Sequence, residues 1–175
     1  RSGAGLVKVF CHEGSTVQVS AGRPELMVTC DNLHEALDWA SCVVIGPGLG
    51  QDDWALAAFE LAMKHCQTHP KPMVIDADAL NLLSKHALSY SITDCILTPH
   101  AGEAARLLNM SVDEVEADRF NSVKQCAQRF HATCVLKGAG TIIDNETKTW
   151  VCQHGNPGMA TAGMGDVLSG ILGAL

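Results

Sequence analysis

The run Gly163-Met164-Gly165-Asp166 sets two glycines and a carboxylate ahead of Val167-Leu168-Ser169-Gly170-Ile171-Leu172, whose apolar residues recur at helical spacing. A glycine-rich turn that opens a helix leaves its first N–H groups unpaired, at the positive end of the helix dipole. The amides around Gly163, Met164 and Gly165 are therefore expected to form an anion hole that stabilises charge on a phosphoryl group in transfer. Asp166 would face the same spot and could accept the proton of an attacking hydroxyl as general base. The plainer alternative is an aspartate that only caps the helix.

Four more loops offer binding chemistry. Gly46-Pro47-Gly48-Leu49-Gly50 follows Val43-Val44-Ile45 and would let backbone approach a ligand closely, or simply turn the chain. It is not Gly-x-Gly-x-x-Gly, since Gln51 and Asp53 break that fingerprint. Asp76-Ala77-Asp78-Ala79-Leu80-Asn81 follows Met73-Val74-Ile75, and Asp78 and Asn81 are candidate substrate contacts; Asp78 as a mere N-cap is the alternative. In Thr98-Pro99-His100-Ala101-Gly102-Glu103 the proline stiffens the turn and presents His100 at a helix start, where its ring can meet a ligand. Lys137-Gly138-Ala139-Gly140-Thr141 offers an ammonium, small residues and a hydroxyl suited to a nucleotide, against the alternative of a turn that merely needs glycine. No Gly-x-x-x-x-Gly-Lys-Ser/Thr occurs, so a Walker phosphate loop is excluded.

The elements that must hold these loops alternate between short apolar runs and helical stretches, the pattern of βα units around a largely parallel sheet. Expected strands are Leu6–Cys11, Met27–Cys30, Cys42–Ile45, Met73–Ile75, Cys95–Leu97 and Cys134–Leu136, with an edge hairpin of Thr141–Asp144 and Thr149–Gln153 around Asn145-Glu146-Thr147. Leu56, Phe59, Met63 and Cys66 form one helical stripe. Val115, Val123, Ala127 and Phe130 form another, in a helix begun by the capping box of Ser111 and Glu114; Asn32 with Glu35 starts an earlier one. In such sheets ligands bind beyond the carboxyl ends of the strands, where the five loops fall.

With 175 residues, 47% hydrophobic and 18% charged, the composition suits one globular domain. No apolar run is long enough to span a membrane. A formal net charge of −7 disfavours nucleic acid as a partner. The eight cysteines never form Cys-x-x-Cys, which predicts buried free thiols in a reducing cytoplasm. His65 and His69 share a helix face but lack further ligands, so a solvated helix end is expected there and no protein metal site is predicted. The sequence begins without Met and stops at Leu175 inside an apolar helical pattern, and is expected to be cut at both ends.

Together the loops resemble the ribokinase-like superfamily, in which Gly-x-Gly-Asp supplies anion hole and base. Within it, Gly-Pro-Gly-Leu-Gly, Asp-Ala-Asp-Ala-Leu-Asn, Thr-Pro-His-Ala-Gly-Glu, Lys-Gly-Ala-Gly-Thr and Gly-Asn-x-Gly-Met-Ala are similar to the NAD(P)H-hydrate dehydratase family, as is the opening Arg1-Ser-Gly-Ala-Gly-Leu-Val7. The resemblance implies a three-layer α/β/α fold with a largely parallel sheet. It implies a hydro-lyase that restores NADH or NADPH from the hydrated cofactor: Asp166 deprotonates the ring hydroxyl, a phosphoryl group moves onto it, and phosphate is then eliminated. Positions matching Gly48, His100 and Asp166 would bind the hydrated cofactor, while Lys137, Gly138, Ala139, Gly140, Thr141 and Gly165 would hold adenine nucleotide. ADP is the expected donor over ATP, with Mg2+ on its phosphates. A homotetramer and a fused or separate NAD(P)H-hydrate epimerase are further implications. A small-molecule kinase of the same superfamily is the alternative enzyme, and a nucleotide-binding regulatory module without turnover the alternative of another class.

Overall fold

A computed structural model describes residues 2–86 and 94–175; Arg1 of the opening motif lies outside the described residues. Among the described residues the elements follow in the order β1 (Lys8–Phe10), α1 (Thr16–Ala21), β2 (Met27–Thr29), α2 (Leu33–Trp39), β3 (Val43–Ile45), α3 (Asp53–Thr68), β4 (Met73–Ile75), α4 (Ala77–His86), β5 (Cys95–Leu97), α5 (Ala101–Leu108), α6 (Val112–Ala117), α7 (Arg119–Phe130), β6 (Thr133–Leu136), β7 (Ile142–Asp144), β8 (Thr149–Val151) and α8 (Met164–Leu172). Strands β3 to β8 form one sheet in chain order, parallel through β6 and antiparallel for the edge hairpin β7–β8. β1 and β2 form a separate parallel pair.

Strand periodicity sorts the sheet residues into two faces. Ile45, Met73, Ile75, Leu97 and Leu136 join Phe59, Met63, Leu80, Leu107 and Val123 in the main core, so α3, α4, α5 and α7 cover that face. Val44 points the other way and meets Gly173 at the end of α8, which places α8 on the opposite face. Three layers result, α/β/α, the arrangement that the resemblance implies.

All six expected strands and the hairpin form, most of them trimmed by a residue or two at the ends. The second apolar stripe departs from expectation. It belongs to two helices, because Asp118, with φ −142° and ψ 76°, breaks the helix and its side chain caps the next one by accepting from the Asn121 N–H. Ser111 and Glu114 do form their capping box, on the short α6, and Asn32 caps α2 by accepting from the Glu35 N–H. His65 is not a solvated helix end. It is 7% exposed, stacked on His69 and beside Asp38 of α2, and burial pushes its ring below the ordinary histidine range. All eight cysteines are free as expected, but Cys152 is exposed and Cys11, Cys30 and Cys42 are only partly buried.

Candidate active site

The ends of β4, β5 and β6 are tied together before any site is built on them. The Thr98 N–H donates to the Ile75 carbonyl at 3.2 Å, and the Lys137 N–H donates to the Pro99 carbonyl at 2.8 Å. The Arg119 guanidinium, on α7, donates to the carbonyls of Leu136 and Lys137 at 3.3 and 3.4 Å. A frame held by backbone hydrogen bonds fixes where the following side chains emerge, which a free loop would not.

At the centre of this frame lies Asp76, 1% exposed. One carboxylate oxygen accepts from Lys137 Nζ at 2.8 Å and from the Ala77 N–H at 2.8 Å; the other accepts from Ser169 Oγ at 2.6 Å. Burial by itself pushes this carboxyl up, but the Lys137 and Ser169 hydrogen bonds and the Lys137 charge outweigh it and hold the carboxyl below its ordinary value. Lys137 Nζ also lies 3.8 Å from Glu103 Oε2. That same oxygen accepts from the His100 N–H at 2.8 Å.

The glycine bend sits directly over this cluster. Gly163 is left-handed, with φ 85°, and caps α8 without any side-chain hydrogen bond. A Cβ added there would have no heavy atom within 4 Å, so the bend is open. A Cβ on Gly165 would stand 3.4 Å from Lys137 Nζ and 3.8 Å from an Asp76 oxygen. The lysine ammonium therefore lies beside the first turn of α8, where a helix N-terminus and a cation can together hold an anion; the Met164 N–H of that turn donates to the Thr161 carbonyl at 3.4 Å. Asp166 is exposed in the first turn of α8, and among the described residues no hydrogen bond engages its carboxylate.

His100 has a second duty that its sequence position did not reveal. Its Nδ1 accepts from the N–H groups of Gly102 and Glu103 at 3.0 and 3.2 Å, capping α5 in a box with Glu103. An accepting Nδ1 leaves the hydrogen on Nε2, which faces the buried carboxylate of Glu103 at 3.4 Å, while the side chain as a whole is about half exposed.

Asp78 does not act as an N-cap, since it lies inside the first turn of α4 behind Ala77. Its carboxylate accepts from the Gly50 N–H at 2.9 Å and from Gln51 Nε2 at 3.0 Å, lashing the glycine loop to α4. Asn81 accepts from Arg106 Nη1 at 3.1 Å. Gly48 has φ 64° and open space where a Cβ would be. Gly138, Ala139 and Gly140 form an exposed loop closed by Thr141 Oγ1 donating to the Gly138 carbonyl at 3.1 Å. Among the described residues, no hydrogen bond joins this loop to the Gly163–Asp166 bend; Lys137 is its link to that bend.

Glu103, Ser169 and Arg119 escaped the sequence reading, and Asp76 figured in it only as a carboxylate of the loop after β4, with no partner assigned. A signal existed for Ser169: a lone hydroxyl among apolar helix positions, one turn beyond Asp166. Nothing in the spacing of Arg119 pointed to its task.

The NAD(P)H-hydrate dehydratase family profile matches residues 1–175. The chain belongs to that family. It is similar to the bifunctional NAD(P)H-hydrate repair enzyme of Escherichia coli, at 48% identity over 100% of this chain and 34% of that protein. It is 45% identical to the ADP-dependent (S)-NAD(P)H-hydrate dehydratase of Neisseria meningitidis over 90% of this chain and 54% of the relative. Among solved structures, the ADP/ATP-dependent NAD(P)H-hydrate dehydratase of Bacillus subtilis, co-crystallised with ATP/Mg2+ and soaked with CoA, superposes with a TM-score of 0.79 at 28% identity, over 99% of this chain and 64% of that one. The fold is ribokinase-like. This dehydratase-family chain spans only about a third of the length of the bifunctional relatives it matches.

Proposed function

We propose that this chain carries the phosphoryl-transfer centre of a nucleotide-dependent dehydratase that restores NADH or NADPH from their hydrated forms. The observation that carries the reading is the open Gly163–Gly165 bend above Lys137, with the unpaired carboxylate of Asp166 beside it. Asp166 takes the proton from the ring hydroxyl, and the hydroxyl oxygen bonds to the terminal phosphorus of the donor. The bond from that phosphorus to the remaining nucleotide breaks, while the first-turn amides and Lys137 hold the developing charge. Phosphate is a far better leaving group than hydroxide: the ring C–O bond breaks with its electron pair going to phosphate, a proton leaves the adjacent ring carbon to solvent, and the C=C bond of the dihydronicotinamide forms. Gly48 leaves room for the hydrated cofactor and the half-exposed ring of His100 meets it; Asp78 and Asn81 shape that side through the loop and Arg106 they hold. Lys137 to Thr141 and Gly165 contact the nucleotide.

ADP is the proposed donor, supported by the Neisseria relative's name, although the Bacillus structure was obtained with ATP/Mg2+. Among the described residues no group of three or more His, Cys, Asp or Glu side chains could hold a metal ion, and Asp76 is filled by Lys137 and Ser169. Magnesium, which keeps several waters and binds through substrate phosphates with few protein ligands, would come in on the phosphates of the nucleotide. No helix among the described residues is long and apolar enough to cross a membrane. Eight free thiols suit a reducing cytoplasm, and the bifunctional relatives suggest an epimerase as working partner.

Hydrated NADH incubated with the full-length protein and ADP should regain the absorbance of the reduced cofactor, with orthophosphate released in equal amount. A stable phosphorylated alcohol in its place would make the protein a small-molecule kinase. His100→Ala should weaken hydrated-cofactor binding more than ADP binding in calorimetric titrations. It also removes a helix cap worth about 1 kcal/mol, so His100→Asn, which keeps a capping side chain, separates the two effects. If His100→Asn binds hydrated cofactor as well as the parent does, the ring is only a cap.

A further inference from the structure

The proposed base and anion hole both ride on α8, and among the described residues one side-chain hydrogen bond ties α8 to the sheet. Ser169, fully buried, donates to Asp76 at 2.6 Å. On its other oxygen Asp76 holds Lys137 at 2.8 Å, and that ammonium lies under Gly165. Beyond Lys137 the contacts run on to Glu103 at 3.8 Å and from Glu103 to the His100 N–H at 2.8 Å. A continuous polar chain thus links α8, which carries the bend, to the loop that would meet the hydrated cofactor.

We infer that Asp76 and Ser169 are positioning residues for phosphoryl transfer, joining the helix that carries the glycine bend to the cation beneath it so that the two are set at a fixed separation. This inference rests on the dehydratase reading. Neither residue is placed to touch a ligand: each is at most 1% exposed and is satisfied within the protein. A free lysine side chain loses up to about 2 kcal/mol of rotamer entropy when it is pinned, a cost met here during folding rather than at the moment of reaction. Donors fixed in advance stabilise developing charge without reorganising, which is the larger part of their value. A buried carboxylate stays ionised only if partners compensate its lost hydration; the lysine and the serine supply the largest side-chain contributions, with Thr98 adding to them. The low carboxyl pKa of Asp76 agrees with that assignment.

Ser169 and Lys137 bond to different oxygens of Asp76, so any coupling between them runs through it. That makes a double-mutant cycle decisive. In the full-length protein Ser169→Ala should lower kcat about tenfold, with KM for hydrated NADH within about twofold. In a Lys137→Gln background, already slow, the same substitution should change kcat less than about twofold. Thermal melts of all four proteins check that they fold. A serine that merely stabilises the fold would lower kcat by the same factor in both backgrounds, which would overturn the inference. Should the unaltered protein fail to regenerate NADH, the dehydratase reading falls by that result alone. The positioning role is then judged from ADP affinity by calorimetry: Ser169→Ala should weaken ADP binding in the parent and not in Lys137→Gln, and equal weakening in both rejects it.

Discussion

Asp166→Asn in the full-length protein is expected to lower kcat by about two orders of magnitude or more while leaving ADP affinity within about threefold. The substitution keeps the shape of the side chain and removes its ability to take a proton. The amides of the bend and the Lys137 ammonium stay where they are, so the nucleotide still finds its anion site. Folding should hardly notice. Asp166 is exposed and its carboxylate has no hydrogen-bond partner among the described residues, so the loss is limited to its favourable place near the positive end of α8, at most about 1 kcal/mol. Single-turnover measurements with hydrated NADH would locate the defect in the chemical step. Unchanged turnover in Asp166→Asn would remove the base from the mechanism and with it the proposed function.

The second large effect is on stability and concerns a glycine on the first loop. Gly46 has φ 122°, a conformation that L side chains rarely adopt, and a Cβ there would overlap the Asp76 carbonyl oxygen and stand 2.9 Å from the Ala79 Cβ. The backbone of the loop after β3 is pressed against the backbone that opens α4, with no room for a methyl group. Gly46→Ala should therefore cost about 3 kcal/mol or more, summing conformational strain and overpacking. Gly48→Ala is the control. Its φ is 64°, but open space surrounds the added Cβ, so about 1–2 kcal/mol of left-handed strain is all that is expected. Urea midpoints for the two variants measure the contrast. Equal midpoints would mean that the close approach of Gly46 to Asp76 does not exist in solution.

These two glycines, two residues apart in one motif, are indistinguishable in the sequence and unlike in the fold. Gly46 is a packing requirement, whereas Gly48 leaves space for a ligand. The same division runs through the whole site. Short apolar runs ending in Gly, Asp, His or Lys announced the strands, their parallel order and the loops at their carboxyl ends, because alternation and turn chemistry are local properties. The Gly163-Met164-Gly165-Asp166 run announced the start of α8 for the same reason. The break at Asp118 was invisible, because the apolar positions on either side keep helical spacing through it.

Read without coordinates, the residues determine the alternation of strands and helices around a largely parallel sheet, the edge hairpin and the loops that follow the strands. Each follows from periodicity and from backbone preferences within a few residues. Partnership was decided only in three dimensions. Asp76, Lys137 and Ser169 are separated by 61 and 93 residues from their bonds' other ends, and no local pattern says that a strand-ending carboxylate will meet a lysine from another strand and a serine from the last helix. Burial made the difference: once the sheet and α8 exclude water from Asp76, its charge must be answered by whichever donors the fold brings within reach.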